Sequence, residues 1–153
     1  MSCRGSCLIN NKRVMDVFDL DRFVSAQEYD YPVALSEIKA GRKYSHWIWY
    51  IYPQLKGLGR SYNSDFYGLA SVAEAKAYLA HPVLGARLRE IVQALLLHRG
   101  KNPKEILGDI DASKVRSSMT LFDIVSPNDI FGILLDEFYN GHRCHRTMDR
   151  LFR

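Results

Sequence analysis

Apolar positions recur along this chain at helical spacing. Leu20, Phe23 and Val24, with Gln27 on the same side, predict a helix from Leu20 to about Tyr29, capped by Asp19. Pro32 then fits the first turn of a second helix that carries Val33, Ala34, Leu35 and Ile38 and ends at Gly41. Tyr44 to Tyr52 is aromatic enough for a strand, yet Trp47, Tyr50 and Ile51 share a helical face, so a short helix stopped before Pro53 is expected. Lys56 to Tyr67 holds Gly57, Gly59, Asn63 and Ser64 and reads as a loop.

The punctuation then becomes regular. Ser71 with Glu74 makes a capping box for a helix to about Leu79. Pro82 opens the next, whose wide apolar face runs from Val83 to Leu96 and which stops near Arg99 and Gly100. Asn102, Pro103 and Glu105 start a short helix closed by Gly108, and Asp111 caps another to about Ile124. Ser126, Pro127 and Asp129 precede a helix reaching Tyr139, ended by Asn140 and Gly141, and a last one spans about His145 to Phe152. The expected architecture is all-α, a compact irregular bundle of seven or eight short helices. It forms one domain over 16–153, after a flexible lead-in over 1–15 in which Met15 is a possible alternative start.

One stretch stands apart. Gly41 to Gly68 holds eight of the chain's eighteen aromatic residues, both tryptophans among them. From Lys39 to Ser64 the chain has five basic residues and no acid. Rings stack on planar groups and fixed cations neutralise phosphate or carboxylate, so this mixture suits a planar anionic ligand. A buried aromatic strip with solvated charges on its flanks is the competing reading.

The same stretch carries a resemblance. His46-Trp47-Ile48-Trp49 followed by Pro53-Gln54-Leu55-Lys56-Gly57-Leu58-Gly59 resembles the signature of a mainly bacterial family of unknown function, DUF1810. Further matches are Phe18 to Phe23, Glu74-Ala75 with Tyr78-Leu79, and Asp111 with Lys114 and Ser117 to Phe122. The resemblance runs from about Asp16 to the C-terminus and implies a single all-α domain with no established activity. Some members are labelled calpastatin; inhibitors of that kind are long, disordered and repetitive, whereas this chain is short and rich in core residues. The resemblance also implies an aspartate three positions before Thr147, where this chain has Cys144.

Composition narrows the classes. At 153 residues, 47% hydrophobic and 25% charged, the chain is an ordinary globular sequence. No apolar run approaches the roughly 20 residues of a membrane span, and no secretory signal opens the chain, so a cytoplasmic protein is expected. Net charge is +4, but removing the first fourteen residues leaves 18 basic against 17 acidic. Positive charge is therefore local, which favours a small anionic ligand and makes nucleic acid an unlikely partner. Three cysteines argue against a disulfide framework, and Cys3, Cys7 and Cys144 are too dispersed for a metal site. No residue pattern names a cofactor or settles the oligomeric state.

Four clusters are candidate chemistry. Arg42, Lys43 and His46 follow a helix-ending glycine and would line a wall above a floor of Trp47 and Trp49, with His46 a weak catalytic candidate. Gln54, Gly57, Gly59, Arg60 and Ser61 would bring backbone amides and a cation to an oxyanion. Asp111, Lys114, Ser117 and Ser118 come third: Asp111 is a cap or a weak catalytic candidate, while Lys114 and Ser118 share a face at i, i+4. Two adjacent hydroxyls inside a helix call for a polar pocket wall or a neighbouring helix end. His142, Cys144, His145, Arg146 and Thr147 form the fourth.

No well-supported nucleophile emerges, so whether any reaction is catalysed stays open. The expectation is binding, with or without turnover, of a small phosphorylated nucleotide-like ligand. Next comes a protein-interaction module or homo-oligomer using the aromatic surface, and third RNA or single-strand binding.

Overall fold

The computed structural model describes residues 16–152. Arg4, Lys12, Arg13, Cys3, Cys7, Met15 and the lead-in lie outside the described residues. Within them the chain is all-α, with nine α-helices. After a short 3-10 turn at Asp16–Phe18 come α1 (Asp21–Ala40), α2 (Ile48–Ile51), α3 (Tyr62–Phe66), α4 (Val72–Ala80) and α5 (Leu84–Leu96). The order continues with α6 (Pro103–Leu107), α7 (Asp109–Val125), α8 (Ile130–Tyr139) and α9 (His145–Phe152). None of the described helices is long and apolar enough to cross a membrane.

The centre is α7. It packs against α8, α6, α4, α9 and α2, while α5 packs against α1, α4 and α8. Six consecutive residues of α7, Ser117 to Phe122, are buried, because neighbours cover this part of the helix on every side. Phe122 meets Phe131 of α8 at 5.6 Å and Tyr78 of α4 at 5.6 Å between ring centroids, joining three helices through aromatic contacts.

Most helix starts and stops follow the local signals. Ser71 Oγ accepts the backbone N–H of Glu74 at 3.1 Å, and Asn102 Oδ1 accepts that of Lys104 at 2.9 Å. Gly41 closes α1 in the left-handed region (φ 84°), where a side chain would be strained. Asn140 (φ 53°) closes α8 in the same way.

Three expectations are corrected. The first two helices are one: α1 runs unbroken through Pro32, although Pro removes a backbone donor. Side-chain anchors before the proline, and the His98 ring on Ile38 O at 2.7 Å after it, hold it in line. Gln27 donates to Tyr50 O at 2.7 Å and Tyr78 Oη at 3.0 Å, and the Tyr31 hydroxyl donates to Arg87 O at 3.1 Å. Asp19 does not cap α1; it sits at φ 52°, and Leu20 precedes the helix without a side-chain cap. The loop expected over 56–67 contains α3, started by Ser61, whose hydroxyl accepts Ser64 N at 3.1 Å.

Two stretches quoted for the resemblance turn out to be joined. Arg22 forms a 2.9 Å ion pair with Glu74, both nearly buried, and also donates to Phe66 O and Phe18 O. This guanidinium ties the start of α1 to the α3–α4 connection, a structural task.

Candidate functional site

The four clusters are divided by the fold: some members are spent on packing and pairing, and others from three of the clusters meet in one cleft. Lys43 is not a free cation: its Nζ lies 2.8 Å from Asp111 Oδ2, donates to Ser45 O, and sits 4.7 Å from the Trp47 ring centroid. Its side chain is only 6% exposed. Asp111 accordingly pairs with Lys43 from within the first turn of α7, which Gly108, not Asp111, precedes. Trp47 is sealed in the core at 1% exposure instead of flooring a pocket. Its indole N–H donates to Glu37 Oε1 at 2.9 Å. Glu37 also accepts from Tyr44 N, Ser45 N and Ser45 Oγ. Burial raises the Glu37 carboxyl, but the donors from Ser45, Tyr44 and Trp47 outweigh it and hold the group at about 2 instead of 4.5. The Arg42–Trp49 segment is thus braced from within. Arg42 stacks on Tyr44 at 5.4 Å from the centroid, and His46 is exposed.

The second cluster divides. Gln54 is buried and Gly59 packs so closely that an added Cβ would lie 2.4 Å from Ser64 Oγ. Gly57 (φ 95°) gives its carbonyl to Arg150 Nη2 of α9 at 3.1 Å. Ser61 caps α3, and Arg60 is exposed.

Other residues converge. A cleft of about 380 Å³ opens between the 54–59 segment, α7 and the start of α9. Gln54, Leu58 and Gly59 line one side, Ile110, Ser113, Lys114 and Ser117 of α7 another, and Arg146 of α9 the third, with Asp109 also on the wall. The spacing 110, 113, 114, 117 is one helical stripe, so a single turn-to-turn face of α7 forms that wall. Lys114 and Arg146 enter no ion pair among the described residues. Arg42, His46, Arg60 and Gly57 line neither this cleft nor the two other hollows described below.

Beside the cleft, and sharing Gln54 and Lys114 with it, is a hollow of about 10 Å³ lined also by Trp49, Ser64 and Tyr67. That volume admits one water and no ring. Lys114 Nζ stands 5.4 Å from the Trp49 ring centroid, and the Trp49 N–H is buried without an acceptor among the described residues. Trp47, Trp49, Tyr50 and Tyr52 therefore pack inward, with Lys114 over the Trp49 ring, while Tyr44, Tyr62 and Phe66 stay exposed outside the cleft.

The hydroxyls of α7 part company. Ser117 (i+3 from Lys114) faces the cleft, while Ser118, expected to share the lysine's face, is wholly buried and its hydroxyl has no partner among the described residues. Ser117 Oγ lies 3.2 Å from Ser113 O and 3.2 Å from Cys144 Sγ, and Thr120 Oγ1 accepts Cys144 N at 3.0 Å. Ser117 alone meets both reasons for an in-helix hydroxyl, as pocket wall and against a helix end; neither accounts for Ser118. Cys144 precedes α9, with Met148 N bonded to its carbonyl. Burial raises its thiol, but the Ser117 hydroxyl and the backbone N–H groups of Thr147 and Arg146 hold it below the usual thiol range. Arg146 belongs to this cleft although sequence spacing grouped it with His142 and Thr147; only the docking of α9 on α7 brings it to Lys114.

A larger groove of about 700 Å³ lies on the neighbouring stripe of α7, walled by Ala112, Ser113 and Arg116, by Lys101 and Lys104 before and in α6, and by Phe138 and Tyr139 of α8. Among the described residues no group of three or more His, Cys, Asp or Glu is placed to hold a metal.

Fold and site define a small all-α bundle with polar clefts along its central helix. The chain belongs to the family described as protein of unknown function (DUF1810), whose model matches residues 17–151. It is similar to the conserved hypothetical protein Rv1873 from Mycobacterium tuberculosis, known from a crystal structure. Identity is 44% over 88% of this chain and 96% of that one, with a TM-score of 0.85. No curated protein matches.

Proposed function

We propose that this protein binds a small phosphorylated, nucleotide-like ligand in the cleft between the 54–59 segment, α7 and α9. One observation carries the reading: Lys114 and Arg146, from two helices distant in sequence, face one cleft of about 380 Å³ with no ion-pair partner among the described residues. The volume lies within the usual range for small-molecule sites. An anionic group set between the two cations gains charge-assisted hydrogen bonds. The Gln54 amide and the Ser113 hydroxyl supply neutral partners, and Leu58 with the exposed Ile110 supply apolar surface for a planar base. The reading is one of binding: neither His46 nor Asp111 lines the cleft, so no general acid or base is assigned. The cytoplasm, where such metabolites are held, is the location this proposal adopts.

The test is thermal unfolding and calorimetry of the full chain with nucleoside phosphates, ADP-ribose, NAD and sugar phosphates. A ligand at 100 times its Kd stabilises by about 2.7 kcal/mol. No shift with any of them removes the proposal.

A second reading, a protein-docking module, is favoured by Tyr62 and Phe66 of α3. They stack at 5.7 Å and 13° with 77% and 40% exposure. Light scattering of wild type and Tyr62→Ser across a concentration series tests self-association through that pair.

A further inference from the structure

Two adjacent stripes of α7 line two hollows. Residues 110, 113, 114 and 117 face the 380 Å³ cleft; residues 109, 112, 113 and 116 face the 700 Å³ groove. The hollows meet at Asp109 and Ser113, both exposed and one helical turn apart, so only one ridge of side chains separates them. Each hollow has its own unpaired positive charge. On the cleft side these are Lys114 and Arg146. On the groove side Arg116 enters no ion pair among the described residues, and its Nε is buried there without an acceptor. Lys101 and Lys104 stand beside it, equally unpaired and exposed. Of the two acids in the groove wall, Glu137 is 4.0 Å from Arg99 and Asp109 is on the ridge.

We infer that cleft and groove are two halves of one site, whose ligand carries two phosphate groups joined by a hydroxyl-bearing spacer laid across the Asp109–Ser113 ridge. This deepens the proposed function and rests on the cleft reading. The spacing follows from the helix: the two stripes are turned about 100° from each other around α7, with Asp109 and Ser113 between them. Their anions then sit on the order of 10 Å apart, about the width of a helix with its side chains. The ridge chemistry fits the spacer and not a third phosphate. The Asp109 carboxylate repels an anion and accepts hydrogen bonds from sugar hydroxyls, while Ser113 can donate or accept. Phe138 and Tyr139 give the groove an apolar wall, and the Tyr139 hydroxyl is already spent on Ala112 O at 2.6 Å.

The test is calorimetric titration of the full chain with matched pairs: a nucleoside 5′-monophosphate against the 3′,5′-bisphosphate of the same nucleoside, and hexose 6-phosphate against hexose 1,6-bisphosphate. One bisphosphate should bind at least tenfold more tightly than its monophosphate. Arg116→Ala should abolish that advantage, bringing the bisphosphate down to the affinity of its monophosphate. The double variant Lys101→Ser with Lys104→Ser, both exposed positions, should reduce the advantage without touching the fold. If monophosphates bind but no bisphosphate gains, or if the gain survives both variants, the two-part site is overturned while the cleft stands. If neither member of any pair binds, the cleft reading itself falls and takes this inference with it.

Discussion

Lys43 Nζ lies 2.8 Å from Asp111 Oδ2, and this pair fastens the segment after α1 to the first turn of α7. Both residues belong to stretches rich in candidate chemistry, and both are spent on holding the bundle together. Removing one partner strands a charge that is largely shielded from water. Lys43→Met should therefore cost about 3 kcal/mol in urea unfolding. Adding Asp111→Leu should recover part of that loss, because the orphaned carboxylate goes too. Additive losses in the double variant would show that the pair is not coupled.

Glu37 makes stability depend on acid. Its carboxyl is held at about 2 in the folded protein and returns to about 4.5 on unfolding. The unfolded state therefore takes up its proton first as pH falls. The contribution is complete above about pH 4.5 and declines as pH drops toward 2. Asp129 acts in the same direction: hydrogen bonding from Arg89, then from Ser126 and Ile130 N, outweighs burial and holds it well below the carboxylate range. Glu37→Gln should cost about 2 kcal/mol at pH 7 and flatten the decline below pH 4.5. Identical acid profiles for variant and wild type would refute the assignment.

Pro32 is a local misfit tolerated by packing. It is exposed inside α1 and lacks the donor that the helix expects there. Pro32→Ala restores a backbone hydrogen bond and should stabilise by about 2 kcal/mol, read as a higher midpoint in urea. A lower midpoint would mean that the proline ring itself is required for docking α1 on α5.

Gly85 is where α5 crosses the end of α4. A Cβ there would lie 2.0 Å from Leu79 O, a backbone atom that cannot swing aside. Gly85→Ala should lower stability by about 3 kcal/mol despite alanine's better helix propensity. A stabilised variant would mean that the two helices can part at no cost.

Lys114 and Arg146 should answer to ligand, not to fold. With any phosphate found to bind, Lys114→Ala or Arg146→Ala should each weaken binding roughly ten- to hundredfold, the worth of one charged hydrogen bond. Arg42→Ala and Arg60→Ala, which lie outside the cleft, should leave affinity unchanged. The reverse pattern, measured by calorimetry, would move the site to the aromatic stretch.

What the residues alone determined was the helical class and most of its punctuation. Asn102-Pro103, Ser71 with Glu74, Gly41 and Asn140 act through backbone atoms within a few positions, so local chemistry suffices to read them. The motif from His46 to Gly59 identified the family for the same reason: it is contiguous. Partner choice was decided only by tertiary structure. Whether Lys43 is free depends on Asp111, 68 positions away, and Trp47 is core because Glu37 reaches its indole. Arg146 joins Lys114 because α9 docks on α7. A charge has no address until the fold sets its distance to every other charge, and that distance is not a property of spacing along the chain.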